Sequence, residues 1–201
     1  MIWVIIPTYN EAKALPTTLQ SLGQQAGQYH VIIVDGGSTD QTPTIVKANP
    51  QLTLLTAPKG RASQMNRGAS YVRNHHPSIH DWLLFLHADT TLPHGALTRL
   101  NQLEEDSSIQ AGGFYHQFSG HDWRLRFISW LDNIRCRQSK IIYGDQAMFV
   151  RPRLFEQING FPDQSILEDV AFCQTLIRHT TPTLLAPPVI TDSRKFIQMG
   201  I

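Results

Sequence analysis

The chain has 201 residues, of which 41% are hydrophobic and 16% are charged, and its formal net charge is +1. This composition excludes a disordered chain, and the length predicts one substantial folded domain over residues 1–201. The balanced charge argues against nucleic acid as a partner, because such binding needs a basic excess on one face. No apolar run approaches the ~18 residues that a membrane-spanning helix needs.

The cysteines and the amino terminus bear on the compartment. Cys136 and Cys173 form no CxxC motif, which favours a reducing setting and gives no sign of a metal site. The segment MIWVII lacks the basic region of a secretory signal. We therefore expect a cytoplasmic protein, for which peripheral contact with the inner face of the cell membrane stays open.

The first hundred residues alternate between strand-like and helix-like segments. Buried strands are predicted over Ile2–Ile6, Val31–Val34 and Trp82–Leu86, and a further strand over Leu52–Thr56. Helices are predicted over Ala14–Leu22, Pro43–Ala48, Arg61–Arg73 and Gly95–Leu103. This order predicts an α/β fold with a mostly parallel central sheet flanked by helices.

Residues 106–201 are patterned differently and are expected to form a smaller half of the same domain. Strands are predicted over Ala111–Phe118, Gln146–Val150 and Val189–Thr191, and helices over Pro152–Asn159 and Glu168–Arg178. The last of these helices should bury Val170, Cys173 and Ile177.

A further helical stripe comprises Trp123, Phe127, Trp130, Leu131 and Ile134, with arginines interleaved. We interpret this stripe as core or as a lid against the sheet. The alternative is an amphipathic surface that touches lipid or a lipid-linked acceptor.

Four predicted strand ends carry polar or glycine-rich turns, over residues 7–11, 35–40, 58–61 and 87–89. The carboxyl ends of parallel strands meet at one edge of a sheet, where ligands bind. The turn with Lys59 and Arg61 opens a helix and favours phosphate. Asp89 could then hold a divalent metal that bridges two phosphates. Neither GxGxxG nor GxxxxGK[ST] is present, so no dinucleotide or P-loop site is predicted.

Each acid in these turns could instead serve only as a cap of a helix or turn. Asp35 and Asp40 could each cap the helix that follows. Glu168 and Asp169 open a predicted helix, where the helix dipole favours acids in any case.

Six segments stand in a characteristic order and spacing: IIPTYNEA, VDGGSTD, GRASQMNRGA, FLHADT, YGDQAMFVRP and GFPDQSILEDV. With these segments the chain resembles glycosyltransferase family 2 from Ile2 to Arg194, and in particular a small bacterial subgroup with the metal motif LHADT. The resemblance implies the GT-A fold, a UDP- or GDP-sugar as donor, and Mg²⁺ or Mn²⁺ as cofactor. His87 stands where the family motif has its first Asp, so Asp89 is the one carboxylate of that motif.

The resemblance assigns donor binding to Pro7, Tyr9, Glu11, Asp35, Arg61, Asp89, Gly144, Asp145, Gln146 and Arg194. Among these, Asp35 would hold the uracil or ribose, and Arg61 would lie near the base and diphosphate. Asp89 would bind the metal, and Arg194 would close over the diphosphate. Asp169 matches the general base that deprotonates the acceptor hydroxyl.

The expected function is inverting transfer of a sugar to an unidentified hydroxyl acceptor. Residues 1–105 would bind the nucleotide sugar, and residues 106–201 would supply the acceptor side and the base. Two alternatives stay open: a nucleotidyltransferase of similar fold, although PTYNEAK lacks its glycine-rich loop, and a nucleotide-sugar-binding protein without activity. Relatives usually continue past the segment at Arg194 with an apolar tail, so we expect a chain that is naturally short or truncated.

Overall fold

The computed structural model describes residues 1–76, 78, 80–103, 106, 108–120, 122–164 and 166–193. Its strands are β1 (Ile2–Thr8), β2 (Tyr29–Asp35), β3 (Leu52–Thr56), β4 (Trp82–Phe85), β5 (Thr90–Thr91), β6 (Ala111–Phe118), β7 (Met148–Val150) and β8 (Thr183–Thr191). Its helices are α1 (Leu15–Gly23), α2 (Thr42–Lys47), α3 (Arg61–His75), α4 (Ala96–Asn101), α5 (Trp123–Ser139), α6 (Pro152–Gln157) and α7 (Glu168–Leu176).

The described strands form one eight-stranded sheet in the order β3-β2-β1-β4-β7-β6-β8-β5. β3, β2, β1 and β4 run parallel, as their alternation with helices predicts. β7 is antiparallel to both β4 and β6, β8 is parallel to β6, and β5 is antiparallel to β8. The predicted α/β sheet, mostly parallel and flanked by helices, is thus confirmed.

The register of the parallel strands brings their carboxyl ends together. Thr8 at the end of β1 lies beside Asp35 at the end of β2, and Asp35 lies beside Thr56 of β3. On the other side of β1, Ile5 pairs with Phe85, the last residue of β4. The polar turns that follow these strands therefore share one edge of the sheet.

The helix α3 packs closely against this sheet. Met65, Ala69 and Val72 are buried, as predicted. A Cβ at Gly68 would lie 2.5 Å from Ile5 Cγ2, so only glycine permits this approach of helix and strand. The close packing fixes the amino terminus of α3, with Arg61, beside the strand ends.

Two predictions for the second half are wrong. The stripe on α5 is neither core nor lid, because Trp123 is 73% exposed and Trp130 56% exposed. On α7 Cys173 is buried as predicted, but Val170 is only partly buried and Ile177 is 40% exposed, and the helix buries Phe172 and Leu176 instead. No helix in the described part of the chain has the length and apolar character needed to cross a bilayer.

Candidate functional site

A cleft of about 410 Å³ lies at the carboxyl-terminal edge of the parallel strands. Its walls come from turns that are far apart in the chain. The predicted site residues that line it are Pro7, Tyr9, Glu11, Arg61, Asp89, Gly144, Asp145 and Asp169. The sequence reasoning did not assign a role to five other lining residues, Thr8, Gln64, Tyr143, Leu167 and Thr191.

A second cavity, of about 490 Å³, lies at the opposite ends of the strands, beside Tyr29 and Leu52. Its described lining contains no carboxylate and no lysine or arginine. The strand-end cleft is the candidate functional site because several acids and a guanidinium converge there.

Asp35, at the end of β2, lies behind the cleft rather than in its wall. One carboxylate oxygen accepts hydrogen bonds from the backbone N–H groups of Gly37 (3.0 Å) and Ser38 (2.9 Å). The other accepts from the hydroxyls of Ser38 (2.5 Å) and Thr8 (3.2 Å). These four donors fill the acceptor capacity of a carboxylate, so Asp35 shapes the turn after β2.

Asp40 bonds to the start of α2, as the capping interpretation predicts. Its Oδ1 accepts from the backbone N–H and the hydroxyl of Thr42 (2.9 and 2.6 Å). These bonds, led by the one from the Thr42 hydroxyl, lower the pKa of Asp40. Its Oδ2 accepts from the backbone N–H of Ala12 (3.1 Å), which ties this turn to the turn after β1.

Gln64 connects three of the turns and was missed by the sequence reasoning. Its buried side-chain amide donates to the carbonyls of Thr8 (2.8 Å) and Val34 (2.7 Å), and its Oε1 accepts from the N–H of Gly60 (3.3 Å). The sequence offers one sign of this role, because Gln64 lies three residues into a helix that follows a turn ending in Gly60. Gly60 has a φ of +148°, which suits glycine.

Two cations flank the cleft. The Nζ of Lys59 lies 3.9 Å from the centre of the Tyr9 ring, within reach of a cation–π interaction. Nε of Arg61 lies 2.8 Å from Oε1 of Glu168, a residue that is 1% exposed. Burial raises the pKa of Glu168, against the opposing effect of nearby Arg61.

Each backbone carbonyl of the turn His87-Ala88-Asp89 accepts a hydrogen bond. The carbonyl of His87 accepts from the N–H of Thr90 (3.1 Å), and that of Ala88 accepts from the hydroxyl of Thr18 (2.8 Å). The Asp89 carbonyl accepts from the N–H of Asp192 (3.0 Å), next to β8. The residue after the turn and two distant segments thus fix the backbone that carries Asp89 into the cleft.

The imidazole of His87 sits against Gly144. Its Nε2 is shielded from solvent and has no hydrogen-bond partner among the described residues. A Cβ at Gly144 would lie 2.5 Å from this nitrogen, so the glycine leaves the space that the ring occupies. Burial lowers the pKa of His87, and the nearby carboxylate of Asp89 opposes that shift.

Asp169 lies in the first turn of α7 and is buried. Its Oδ2 accepts from the N–H of Gly144 (2.7 Å), and its Oδ1 accepts from the N–H of Val170 (2.8 Å). The neighbouring Asp145 has a pKa raised by burial, with His87 acting in the opposite direction. The cleft therefore holds Asp145 and Asp169 from the second half together with Glu11 and Asp89 from the first.

Gln146 does not line the described cleft, although the resemblance assigned it to the donor sugar and acceptor. It is buried, and its side chain bonds the N–H of Tyr143 (2.9 Å) and the carbonyl of Phe114 (3.3 Å). It thereby supports the turn that carries Gly144 and Asp145. Arg194 lies outside the described residues.

A divalent metal has a limited set of protein ligands here. No group of three or more His, Cys, Asp or Glu side chains converges as a metal centre among the described residues. Asp89 supplies one carboxylate in the cleft, and the imidazole of His87 lies nearby. That set fits an ion such as Mg²⁺ that takes most of its ligands from substrate phosphates and water.

Known proteins resemble this chain over most of its length. The sequence profile described as "Glycosyl transferase family 2" matches residues 3–179. A "PGL/p-HBAD biosynthesis glycosyltransferase" of Mycobacterium tuberculosis is 37% identical over 172 residues, which are 80% of this chain and 63% of that protein. A "4,4'-diaponeurosporenoate glycosyltransferase" of Staphylococcus haemolyticus is 34% identical over 98 residues, 45% of this chain and 24% of that one. The chain therefore spans about 63% of the length of the mycobacterial relative.

Solved structures have the same fold at low sequence identity. Residues 1–349 of S. aureus TarS in complex with UDP-GlcNAc superpose with a TM-score of 0.72 at 19% identity, over 96% of this chain and 58% of that one. A mannosyltransferase from Pyrobaculum calidifontis, in complex with GDP-Man and Mn²⁺, gives a TM-score of 0.68 at 23% identity, over 95% of this chain and 56% of that one. These likenesses confirm the GT-A fold for this chain.

Proposed function

Because the chain belongs to glycosyltransferase family 2, we propose that it is an inverting glycosyltransferase that moves a sugar from a UDP- or GDP-sugar to a hydroxyl acceptor. The observation that carries this proposal is the cleft, where Asp89 and Asp169 line one cavity although they are far apart in sequence. Residues 1–105 would bind the donor, and residues 106–201 would supply the base and the acceptor side.

The nucleoside would lie against Pro7, Tyr9 and Glu11, which form one wall of the cleft. Arg61 uses Nε for its ion pair with Glu168, which leaves the donors on its terminal nitrogens for a diphosphate oxygen. Asp35 would contact a ribose or base only if the ligand displaced one of its present donors, such as the hydroxyl of Ser38.

Asp89, with His87 beside it, would hold Mg²⁺ or Mn²⁺. When bound, the ion would neutralise the charge that develops on the departing diphosphate. The P. calidifontis neighbour was solved with GDP-Man and Mn²⁺, which supports testing this cofactor here. The protein's own contribution is the fixed backbone of residues 87–89, which places a single carboxylate in the cleft.

Asp169 is the proposed general base. In the transfer, the acceptor oxygen bonds to the anomeric carbon while the bond from that carbon to the diphosphate breaks. The hydroxyl proton passes to the carboxylate of Asp169. The N–H groups of Gly144 and Val170 hold the two carboxylate oxygens of Asp169 in place beside the cleft. One displacement without a protein nucleophile inverts the anomeric centre.

The acceptor is proposed to be a hydroxyl on a lipid-linked molecule, used at the inner face of the cell membrane by a cytoplasmic enzyme. The rim of the cleft supports this choice. Leu167 lines the cleft and is 54% exposed, and the preceding Ile166 is 69% exposed. Exposed apolar side chains beside a base suit an acceptor with an apolar portion.

A donor screen tests the proposal. We expect a UDP- or GDP-sugar to raise the melting temperature in the presence of Mn²⁺, whereas CDP- and dTDP-sugars serve as comparisons. Slow donor hydrolysis should then release the nucleoside diphosphate. Binding without hydrolysis or transfer would instead indicate a nucleotide-sugar-binding protein, and release of pyrophosphate from a nucleoside triphosphate would indicate a nucleotidyltransferase.

A further inference from the structure

The helix α5 presents an aromatic surface to solvent, and we name it the α5 outer face. It consists of Trp123, Phe127, Trp130 and Leu131, which are 73%, 53%, 56% and 45% exposed. The rings of Phe127 and Trp130 stack on each other with their centres 5.7 Å apart. Apolar groups of this size at solvent are costly, so a continuous face of them indicates a surface that is covered in use.

The outward orientation of this face is set by the other side of the helix. Leu125, Ser129 and Cys136 are buried there. The hydroxyl of Ser129 accepts from the N–H of Phe118 (3.0 Å), and Asn133 exchanges two hydrogen bonds with the backbone of His116 (2.9 and 2.8 Å). These bonds lock α5 onto β6, so the aromatic residues cannot turn inward without breaking them.

Basic side chains border the α5 outer face. At 3.6 residues per turn, Arg126 and Arg137 lie along one border, and Arg124 and Arg135 lie along the other. The helix thus carries four arginines against one aspartate, Asp132, in a chain whose net charge is +1. All four arginines are exposed. Arg124 pairs with Asp122 (2.8 Å) and Arg135 with Asp132 (3.1 Å), so the net positive charge beside the apolar centre comes from the border formed by Arg126 and Arg137.

We infer that the α5 outer face docks on an anionic lipid bilayer. Tryptophan prefers the boundary between head groups and acyl chains, and a helix with aromatic residues between arginines is typical of an interfacial helix. Anionic head groups would neutralise the basic borders. A second copy of the chain is a poorer occupant, because a two-fold contact through this face would bring like-charged arginines together.

Docking through α5 would also orient the cleft. The guanidinium of Arg135 lies 3.9 Å from the centre of the Tyr143 ring, and Tyr143 lines the cleft. The aromatic helix therefore adjoins the wall that carries Gly144 and Asp145. Bilayer binding does not depend on the proposed transferase activity, whereas delivery of a lipid-linked acceptor to Asp169 rests on it.

Tryptophan fluorescence can follow the docking selectively. Of the four tryptophans, Trp3 and Trp82 are buried in the core, and Trp123 and Trp130 lie on the α5 outer face. Vesicles of phosphatidylcholine with phosphatidylglycerol should shift the emission to shorter wavelength and sediment with the protein. The W123F/W130F variant should still sediment but lose the shift.

Substitutions of the arginines and of the aromatic residues measure the contributions of charge and of apolar contact to vesicle binding separately. R126Q/R137Q should lower partitioning to anionic vesicles by about 30-fold, because each basic residue near such a surface contributes about 1 kcal/mol. W123A/F127A/W130A should lower it by about 100-fold. R99Q removes an exposed arginine from α4 and should leave binding unchanged.

Three outcomes would overturn the inference. The first is no partitioning to anionic vesicles by the wild-type protein. The second is equal partitioning to vesicles of phosphatidylcholine alone. The third is a stable dimer in sedimentation equilibrium that W123A/F127A/W130A converts to a monomer. Loss of sugar transfer with vesicle binding intact would contradict the proposed function and leave the docking surface standing.

Discussion

The acids of the first and second halves are held by different sets of contacts. In the first half, Asp35 and Asp40 bond to backbone N–H groups two or three residues further along the chain. In the second half, Glu168 pairs with Arg61, and Asp169 accepts from Gly144, each across a long stretch of sequence. Asp35 and Asp40 also accept from the hydroxyl of Thr8 and the N–H of Ala12, so the first half binds its acids both within each turn and to β1 and the turn after it. The second half instead connects Glu168 to the first half through Arg61.

This difference has a functional consequence. Turns that saturate their own carboxylates are rigid before any ligand arrives, which suits binding of a donor. Buried polar atoms without a described hydrogen-bond partner occur in both halves at the cleft, at Nε2 of His87 in the first half and at Oε2 of Glu168 in the second. Burying such atoms without a partner costs free energy of folding, and their presence near a cleft is typical of a site where chemistry occurs.

The largest expected effect comes from the second half. Asp169→Asn keeps the shape of the side chain but removes the proposed base, so the rate of transfer should fall about 1000-fold. Donor affinity, measured by calorimetry, should stay unchanged. Glu156→Gln, an exposed change on α6, is the matched control. Transfer that survives in D169N would remove Asp169 as the base.

A pH dependence of stability should come from His116. Burial lowers its pKa from 6.5 to about 4, with Asp132 opposing the shift. The unfolded chain therefore takes up a proton first as the pH falls through 6.5, and the folded state loses about 2 kcal/mol by about pH 5.

Urea unfolding of the wild type and of His116→Phe at about pH 7 and pH 5 measures this effect. The difference in pH dependence between the two proteins isolates His116 from other titrating groups. Equal losses in both proteins would show that His116 is not held neutral by the fold.

The contact between the halves can be tested at Gly144. The Cβ of Gly144→Ala would collide with Nε2 of His87, which should cost about 2 kcal/mol of stability. The double variant H87A/G144A removes the collision. It should therefore cost less than the sum of its two single variants, with a coupling of about 1 kcal/mol or more. Simple additivity would mean that the ring does not rest against Gly144.

A smaller effect is expected in the first half. Asp40→Ala removes the bonds to Thr42 and should lower the free energy of unfolding by less than Gly144→Ala does, because Asp40 is exposed to solvent. Donor affinity should fall far less than it does when the cleft itself is altered, because Asp40 does not line the cleft. Chemical denaturation and donor titration on the same protein sample compare the two quantities. A loss of donor affinity without loss of stability would give Asp40 a direct ligand role.

The same contrast explains what could be predicted from the sequence. The strands β1 to β4 were predicted within a few residues because long apolar runs mark them. The capping bonds of Asp40 were predictable because they depend on local turn geometry. The pairing of Thr90 with Thr191 was missed, because two polar residues gain a strand partner only from a segment a hundred residues away.

Two other features needed the tertiary structure. β8 begins at Thr183 although Pro187 and Pro188 interrupt its pattern, and its register with β6 shifts at that point. The buried face of α7 is rotated from the predicted one because its first turn places Glu168 and Asp169 inward. The sequence names these acids, but only the fold brings Arg61 and Gly144 to them.

The most direct test concerns Asp89, the carboxylate that the turn after β4 places in the cleft. The measurement is the dissociation constant of UDP and GDP with and without Mn²⁺, for the wild type, Asp89→Asn and Asp169→Asn. We expect Mn²⁺ to strengthen binding of one nucleotide about tenfold or more in the wild type and in D169N, and to have no effect in D89N. An equal gain from Mn²⁺ in D89N would contradict the assignment of the metal and the diphosphate to this strand end.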